Sequence, residues 1–153
     1  MHITARADYA LRAAIEMAAS WPQPLKGEQI SEAQDIPIKF LESILLDLKR
    51  AGLVRTQRGQ AGGYWLGREP AEISLADIIR AVEGPLANVR GMSPEEITYK
   101  GRAATLRDVW VALRANMRAV LETTTLAHMV RGELPEQLHP LLQDPDAWVR
   151  RGR

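Results

Sequence analysis

Apolar residues recur at helical spacing from the start of the chain. Ala7, Ala10, Leu11, Ala14, Ile15 and Ala18 share one face of a predicted first helix. Thr4 stands before them as a candidate N-cap, and Trp21-Pro22 ends the run. A short second helix is expected around Gly27 to Gln34, with Ile30 and Ala33 turned inward. Asp35-Ile36-Pro37 reads as a tight turn. Pro37 suits the first position of a third helix, where a backbone N–H is not needed. Phe40, Leu41, Ile44, Leu45 and Leu48 then form an apolar stripe. Gly52, just past Ala51, suits the C-terminal stop because glycine enters the left-handed conformation without steric cost.

The period next shifts from helix to strand. Leu53 to Arg58 and Tyr64 to Leu66 read as two strands joined by a glycine-rich turn, Gly59-Gln60-Ala61-Gly62-Gly63. Tyr64 and Trp65 are candidates to pack this ribbon onto the body. Three helices followed by a β-ribbon is the winged helix-turn-helix order. The fold class expected is therefore mainly α with a small β-wing. Ser74 and Asp77 form a capping-box-like pair before Leu75, Ile78, Ile79 and Val82, and Gly84-Pro85 ends that helix. Leu86 to about Arg102 contains Gly91, Pro94 and Gly101 and is expected to be loop. A long helix follows, with Leu106, Val109, Trp110, Leu113, Met117, Val120 and Leu121 on its apolar stripe. Thr125 is a candidate cap for a last short helix through Arg131. The organisation expected is a winged head over 1–70, a linker helix, loop and dimerisation helices over 71–134, and a tail over 135–153 with a basic end.

Charge changes the picture locally. The formal net charge is only +1. Yet Lys49, Arg50, Arg55, Arg58 and Arg68 fall in one stretch without a single acidic residue. Arg58 opens the turn, where a guanidinium reaches a narrow minor groove. Backbone N–H groups at Gly59, Gln60, Gly62 and Gly63 are candidates for close approach to phosphates. On the third helix Ile38, Lys39, Glu42 and Ser43 lie opposite the apolar stripe, near the end that a recognition helix places in the major groove. Lys39 suits phosphate or guanine, Ser43 phosphate or base, and Glu42 a cytosine amino group. Each also reads as a solvated surface residue, and a carboxylate such as Glu42 is repelled by DNA unless well paired.

Other chemistry finds little support. The chain has no cysteine, which removes disulfides, thiolate zinc sites and thiol redox sensing. His2, His128 and His139 are scattered without metal-ligand spacing. No nucleophile–base pair or carboxylate dyad stands out, and the glycine cluster lacks the lysine context of a phosphate-binding loop. An enzyme is therefore not expected, nor a metal site or cofactor. No segment reaches membrane-spanning length, and the expected location is cytoplasmic. A DNA-binding regulator is weighed against a winged-helix module that binds another protein and not DNA.

The sequence resembles the Rrf-two family of winged helix-turn-helix regulators. The matching stretches are Asp8 to Arg12, Ile36 to Glu42, Leu48 to Val54, Arg58 to Leu66, Ile73 to Gly84 and Leu106 to Trp110. The resemblance implies a homodimer joined by the long C-terminal helices, a palindromic operator on double-stranded DNA, and more often repression than activation. It also brings one departure. Several relatives hold an iron–sulfur cluster in the loop before the long helix, with cysteines and a histidine at a fixed spacing. Met92, Thr98, Ala104 and Arg107 occupy those positions here, so no cluster is expected. Asp8, where some relatives have a ligand carboxylate, reads as the charge partner of Arg12. A signal, if one exists, would then come from a small organic ligand near Trp110 and the first helix, or from a protein partner.

Overall fold

The computed structural model describes residues 2–152. Helix α1 spans Ala5–Ser20, and Thr4 caps it, its hydroxyl accepting from the Ala7 amide at 3.1 Å. Its buried residues are Ala7, Ala10, Ala13, Ala14, Met17 and Ala18. Leu11 and Ile15, expected on that apolar face, lie half-buried at its edge. The reason is the number of neighbours. Helices α2 (Gly27–Gln34), α3 (Ile38–Arg50), α4 (Leu75–Glu83) and α6 (Leu126–Arg131) all pack on α1. Small alanine side chains let them approach, and Met17 fills the space between.

Asp35 turns the chain between α2 and α3 with φ of 51°. Pro37 sits one position earlier than expected. It is the N-cap of α3, with extended ψ, and its carbonyl accepts the first helical bond from the Leu41 amide at 2.9 Å. Leu41, Ile44, Leu45 and Leu48 are buried as the stripe requires. Phe40 is not: it remains 38% exposed at the edge of the stripe. There it meets the Tyr9 ring edge-on at 5.4 Å and the Arg6 guanidinium at 5.9 Å.

Strands β1 (Val54–Gln57) and β2 (Gly63–Leu66) pair antiparallel, with Val54 opposite Leu66 and Gln57 opposite Gly63. Leu25 adds an isolated bridge to Tyr64 through reciprocal backbone bonds of 2.9 and 2.7 Å. Tyr64 packs against the core on the same strand face as Leu66. Trp65 alternates to the opposite face, where it pairs with Arg55, and so does not pack the wing onto the core.

Ser74 and Asp77 close a reciprocal capping box, and Gly84 ends α4 with φ of 82°. The loop that follows is interrupted by two short 3-10 turns, Pro94–Glu96 and Gly101–Ala103, and is anchored by the buried Ile97. Helix α5 runs over Leu106–Leu121, and Thr125 caps α6 as expected. The amides of Leu75 and Leu126 bond back to Thr124 and Ile73, each at 2.9 Å, which stitches α6 beside α4. One hydrophobic core therefore runs from Ala10 through Leu41 and Leu48 to Ile73, Ile78 and Leu126. The tail forms the short helix α7 (His139–Gln143) and adjoining 3-10 turns, which pack on one another. Among the described residues, no helix is long and apolar enough to cross a membrane.

Candidate nucleic-acid interface

Leu41, Ile44, Leu45 and Leu48 of the α3 stripe are buried, so the opposite face of the helix points outward. Lys39, Glu42 and Ser43 are exposed on it, and Ile38 is 37% exposed. The start of this helix meets the wing. A Cβ placed on Gly27 would lie 3.7 Å from the Ile38 side chain and 3.8 Å from the Tyr64 ring. The beginnings of α2 and α3 and the returning strand of the wing thus converge at one glycine.

Ion pairing engages several arginines of the body and, among the described residues, leaves the cations clustered on this surface free. Arg6, Arg12, Arg80 and Arg114 are each engaged with a carboxylate. Among the described residues, Lys39, Lys49, Arg50, Arg55, Arg58 and Arg68 take part in no ion pair, and all are exposed. Their charge is left for an external partner. Arg68 is set apart from the wing tip, in a shallow cleft with Asp77 and Arg80 beside α4.

The wing tip divides into two kinds of glycine. Gly59 and Gln60 are exposed. Gly62 and Gly63 are buried. A Cβ on Gly62 would sit 2.0 Å from the Gln57 carbonyl oxygen, and one on Gly63 would sit 2.5 Å from that of Leu25. The Gly62 amide already donates to Gly59 at 3.1 Å. These two glycines answer to close backbone packing, Gly62 within the wing and Gly63 against the Leu25 backbone.

Two basic residues escaped the sequence pattern. Arg6 bonds the Ser43 hydroxyl at 3.3 Å and pairs with Asp47, so α1 braces α3 next to its exposed face. Lys26 donates to the Gly59 carbonyl at 2.6 Å. Both lie far in sequence from the basic stretch, and no local signal joins them to it. Asp8 pairs with Arg12 at 2.9 Å, and Arg12 also donates to the Gln34 carbonyl at the end of α2.

Helix α5 has no fully buried residue. Leu106, Trp110, Leu113, Met117, Val120 and Leu121 are half-buried against their own chain, and Val109 is 54% exposed. Trp110 donates its indole N–H to the Tyr99 hydroxyl at 3.0 Å. Beside Val109 an exposed flank of Ala112, Ala115, Asn116 and Ala119 offers a second, small-residue face that the apolar stripe did not indicate.

The matching family profile, residues 3–132, is described as Rrf2, iron-dependent transcriptional regulator. The donor set here does not fit an iron–sulfur cluster. The chain holds no thiol, Met92, Thr98 and Ala104 offer no anionic ligand, and Arg107 is a cation paired with Asp108. Among the described residues, no group of three or more His, Asp or Glu side chains is placed to hold a metal ion.

An HTH-type transcriptional regulator of Mycobacterium tuberculosis is 46% identical over 145 residues, covering 94% of this chain and 90% of that one. CymR of Bacillus subtilis is 35% identical over 127 residues, covering 82% of this chain and 87% of that protein. The solved structure of B. subtilis CymR, described as a global cysteine regulator, superposes with a TM-score of 0.73 at 32% identity, over 86% of this chain and 98% of that one. IscR of T. potens superposes with a TM-score of 0.69 at 27% identity, over 99% of this chain and 94% of that one. The winged helix, the surface that α3 and the wing present, and these relationships agree: the chain belongs to the Rrf2 family of helix-turn-helix transcription regulators.

Proposed function

We propose that this regulator binds a palindromic DNA operator as a homodimer, without an iron–sulfur cluster, and represses transcription by occupying it. The observation that carries the reading is the clustering of unpaired cations. Lys49, Arg50, Arg55, Arg58 and Arg68 fall in one acid-free stretch over the wing, and with Lys39 on the outer face of α3 they are exposed and form no ion pair among the described residues. Lys39, Glu42 and Ser43, with Ile38, form the reading face in the major groove. Arg58 at the start of the wing turn, with Gly59 and Gln60, follows the backbone or the minor groove. Lys49, Arg50 and Arg55 supply phosphate contacts, with Arg68 a more distant one. Gly62 and Gly63 act by shaping the wing.

Dimerisation through α5 is supported by its packing. A sixteen-residue helix without one fully buried side chain leaves apolar surface to cover. Two-fold pairing would set the reading helices about 34 Å apart, or a multiple of it.

Binding to an operator selected from random DNA, measured across a salt series, tests the reading. Arg58→Ala is expected to weaken binding by about 1–3 kcal/mol and to lower the salt slope by about one. Lys39→Ala is expected to act similarly. Unchanged affinity for both variants would transfer the surface to a protein partner instead.

A further inference from the structure

Ser43 stands on the exposed face of α3 with its hydroxyl already engaged on one side. Both terminal nitrogens of Arg6 donate to Ser43 Oγ at 3.3 Å, and Nη2 also reaches the Ser43 carbonyl at 3.4 Å. The same guanidinium pairs with Asp47, one turn further along α3, and lies 5.9 Å from the centre of the Phe40 ring. Arg6 belongs to the first turn of α1, so the contact joins two helices and is held from both.

A guanidinium donates hydrogen bonds and cannot accept them. Toward Arg6, Ser43 therefore acts only as an acceptor, and its own proton must go elsewhere. Among the described residues that hydroxyl donates to no acceptor. It is left as a donor toward whatever covers the outer side of α3. The two carboxylates of this helix are also told apart. Asp47 is paired with Arg6, whereas Glu42 forms no ion pair among the described residues. An unpaired carboxylate beside DNA is repelled by the phosphates. Arg6 removes that repulsion at Asp47 and leaves Glu42 free to accept.

We propose that Arg6 is a positioning residue that sets the hydrogen-bond polarity of the reading face. It makes Ser43 a donor in the major groove, which selects guanine or thymine against cytosine on the strand it touches, and it neutralises Asp47. Guanine presents O6 and N7 there and thymine O4, whereas cytosine presents only its N4 amino group. Without Arg6 the serine hydroxyl is free to turn and to meet a donor or an acceptor. The base choice rests on the DNA-binding reading, and the hold of Arg6 on Ser43 and Asp47 does not.

The hold is tested without DNA, by NMR of the Arg6 guanidinium in the native chain. Its rotation about the Nε–Cζ bond is expected to be hindered, and to become fast when Ser43→Ala and Asp47→Asn are combined. Free rotation in the native chain overturns the hold. The base choice is tested on an operator selected from random DNA, with each base pair substituted in turn. The native chain should disfavour cytosine at one position of the half-site by roughly threefold to tenfold. Ser43→Ala should flatten that preference. Arg6→Met should relax the same position and no other, and should add nothing there when combined with Ser43→Ala. Arg6→Met should also weaken binding to every sequence, more at low salt than at high. Asp47→Asn in that background should restore affinity without restoring the base preference. Discrimination lost at every position in Arg6→Met would mean a loosened α3 and overturns the proposal. So does a preference that Arg6→Met leaves unchanged, or a Ser43→Ala variant that alters no base preference. Ser43→Ala changes an exposed side chain, so its comparison with the native chain decides the donor assignment even if Arg6→Met does not fold. A native chain that selects no operator overturns the DNA-binding reading and the base choice with it, and the guanidinium measurement still judges the hold.

Discussion

Lys26 Nζ donates to the carbonyl oxygen of Gly59 at 2.6 Å, which fastens the residue that opens α2 to the tip of the wing. The ladder of the wing ends at Gln57 opposite Gly63, so the tip beyond it has few other anchors. Replacing Lys26 with Met keeps the alkyl stem and removes the donor. Such a bond at a partly exposed position contributes on the order of 0.5–1.5 kcal/mol. The variant is expected to fold normally, to exchange the Gln60 and Ala61 amides faster, and to bind the operator a few-fold more weakly. Unaltered exchange at the tip would show that the bond does not hold the wing.

Gly62 and Gly59 should respond differently to alanine. At Gly62 the added carbon falls 2.0 Å from the Gln57 oxygen, so the hairpin itself must move. At Gly59 nothing lies within 4 Å, and only the positive φ of 102° opposes the change. Gly59→Ala is expected to cost about 1 kcal/mol. Gly62→Ala should lower the melting temperature more and disrupt the pairing of β1 with β2. Thermal unfolding of the two variants, side by side, checks the order.

Val109 is the most exposed member of the α5 stripe, next to Ala112 on the open flank. Val109→Glu would place a charge in a helix seam and leave the monomer core untouched. Sedimentation should show the native chain at twice its 17.1 kDa mass, and the variant should shift toward monomer at micromolar concentration. Operator affinity should fall with it, because each head then binds alone. A native chain that sediments as a monomer would end the dimer reading.

Glu95 ties the loop before α5 to Arg114 through a contact of 2.6 Å. Its own backbone N–H, and then the Arg114 guanidinium, hold its carboxyl below the ordinary glutamate value. A lowered pKa in the fold means a contribution that is complete above the ordinary value and lost as pH falls through the lowered one. Glu95→Gln should therefore be slightly less stable than the native chain at neutral pH. That difference should close on acidification, as followed by melting temperature from pH 7 to pH 2. A gap that stays constant over this range would remove the ion pair from the account.

Local chemistry reads directly from the chain where one residue decides one bond. Thr4, Ser74 and Thr125 each cap the helix expected of them, because a hydroxyl meets an amide only two or three residues away. The buried stripe Leu41, Ile44, Leu45 and Leu48 follows from periodicity alone. So does the basic stretch of the wing, because an unbroken run of one sign is a property of order along the chain. Phe40 and Trp65 show the limit. Their apolar character is local, but whether they are covered depends on which element arrives from elsewhere.

Sequence by itself determined the order of elements, their caps, the missing thiolates and the location of the acid-free basic stretch. All of these depend on neighbours a few residues apart. Tertiary structure alone decided that Arg6 braces Ser43, that Lys26 holds Gly59, and that Gly62 and Gly63 serve the packing of the wing. It alone brought Thr4 against Glu83. Apart from Gly62 against Gln57, those contacts join residues more than thirty positions apart. Side-chain spacing sets which face of a helix is apolar, but only the packing of α1 against α2, α3, α4 and α6 sets what each polar edge finally meets.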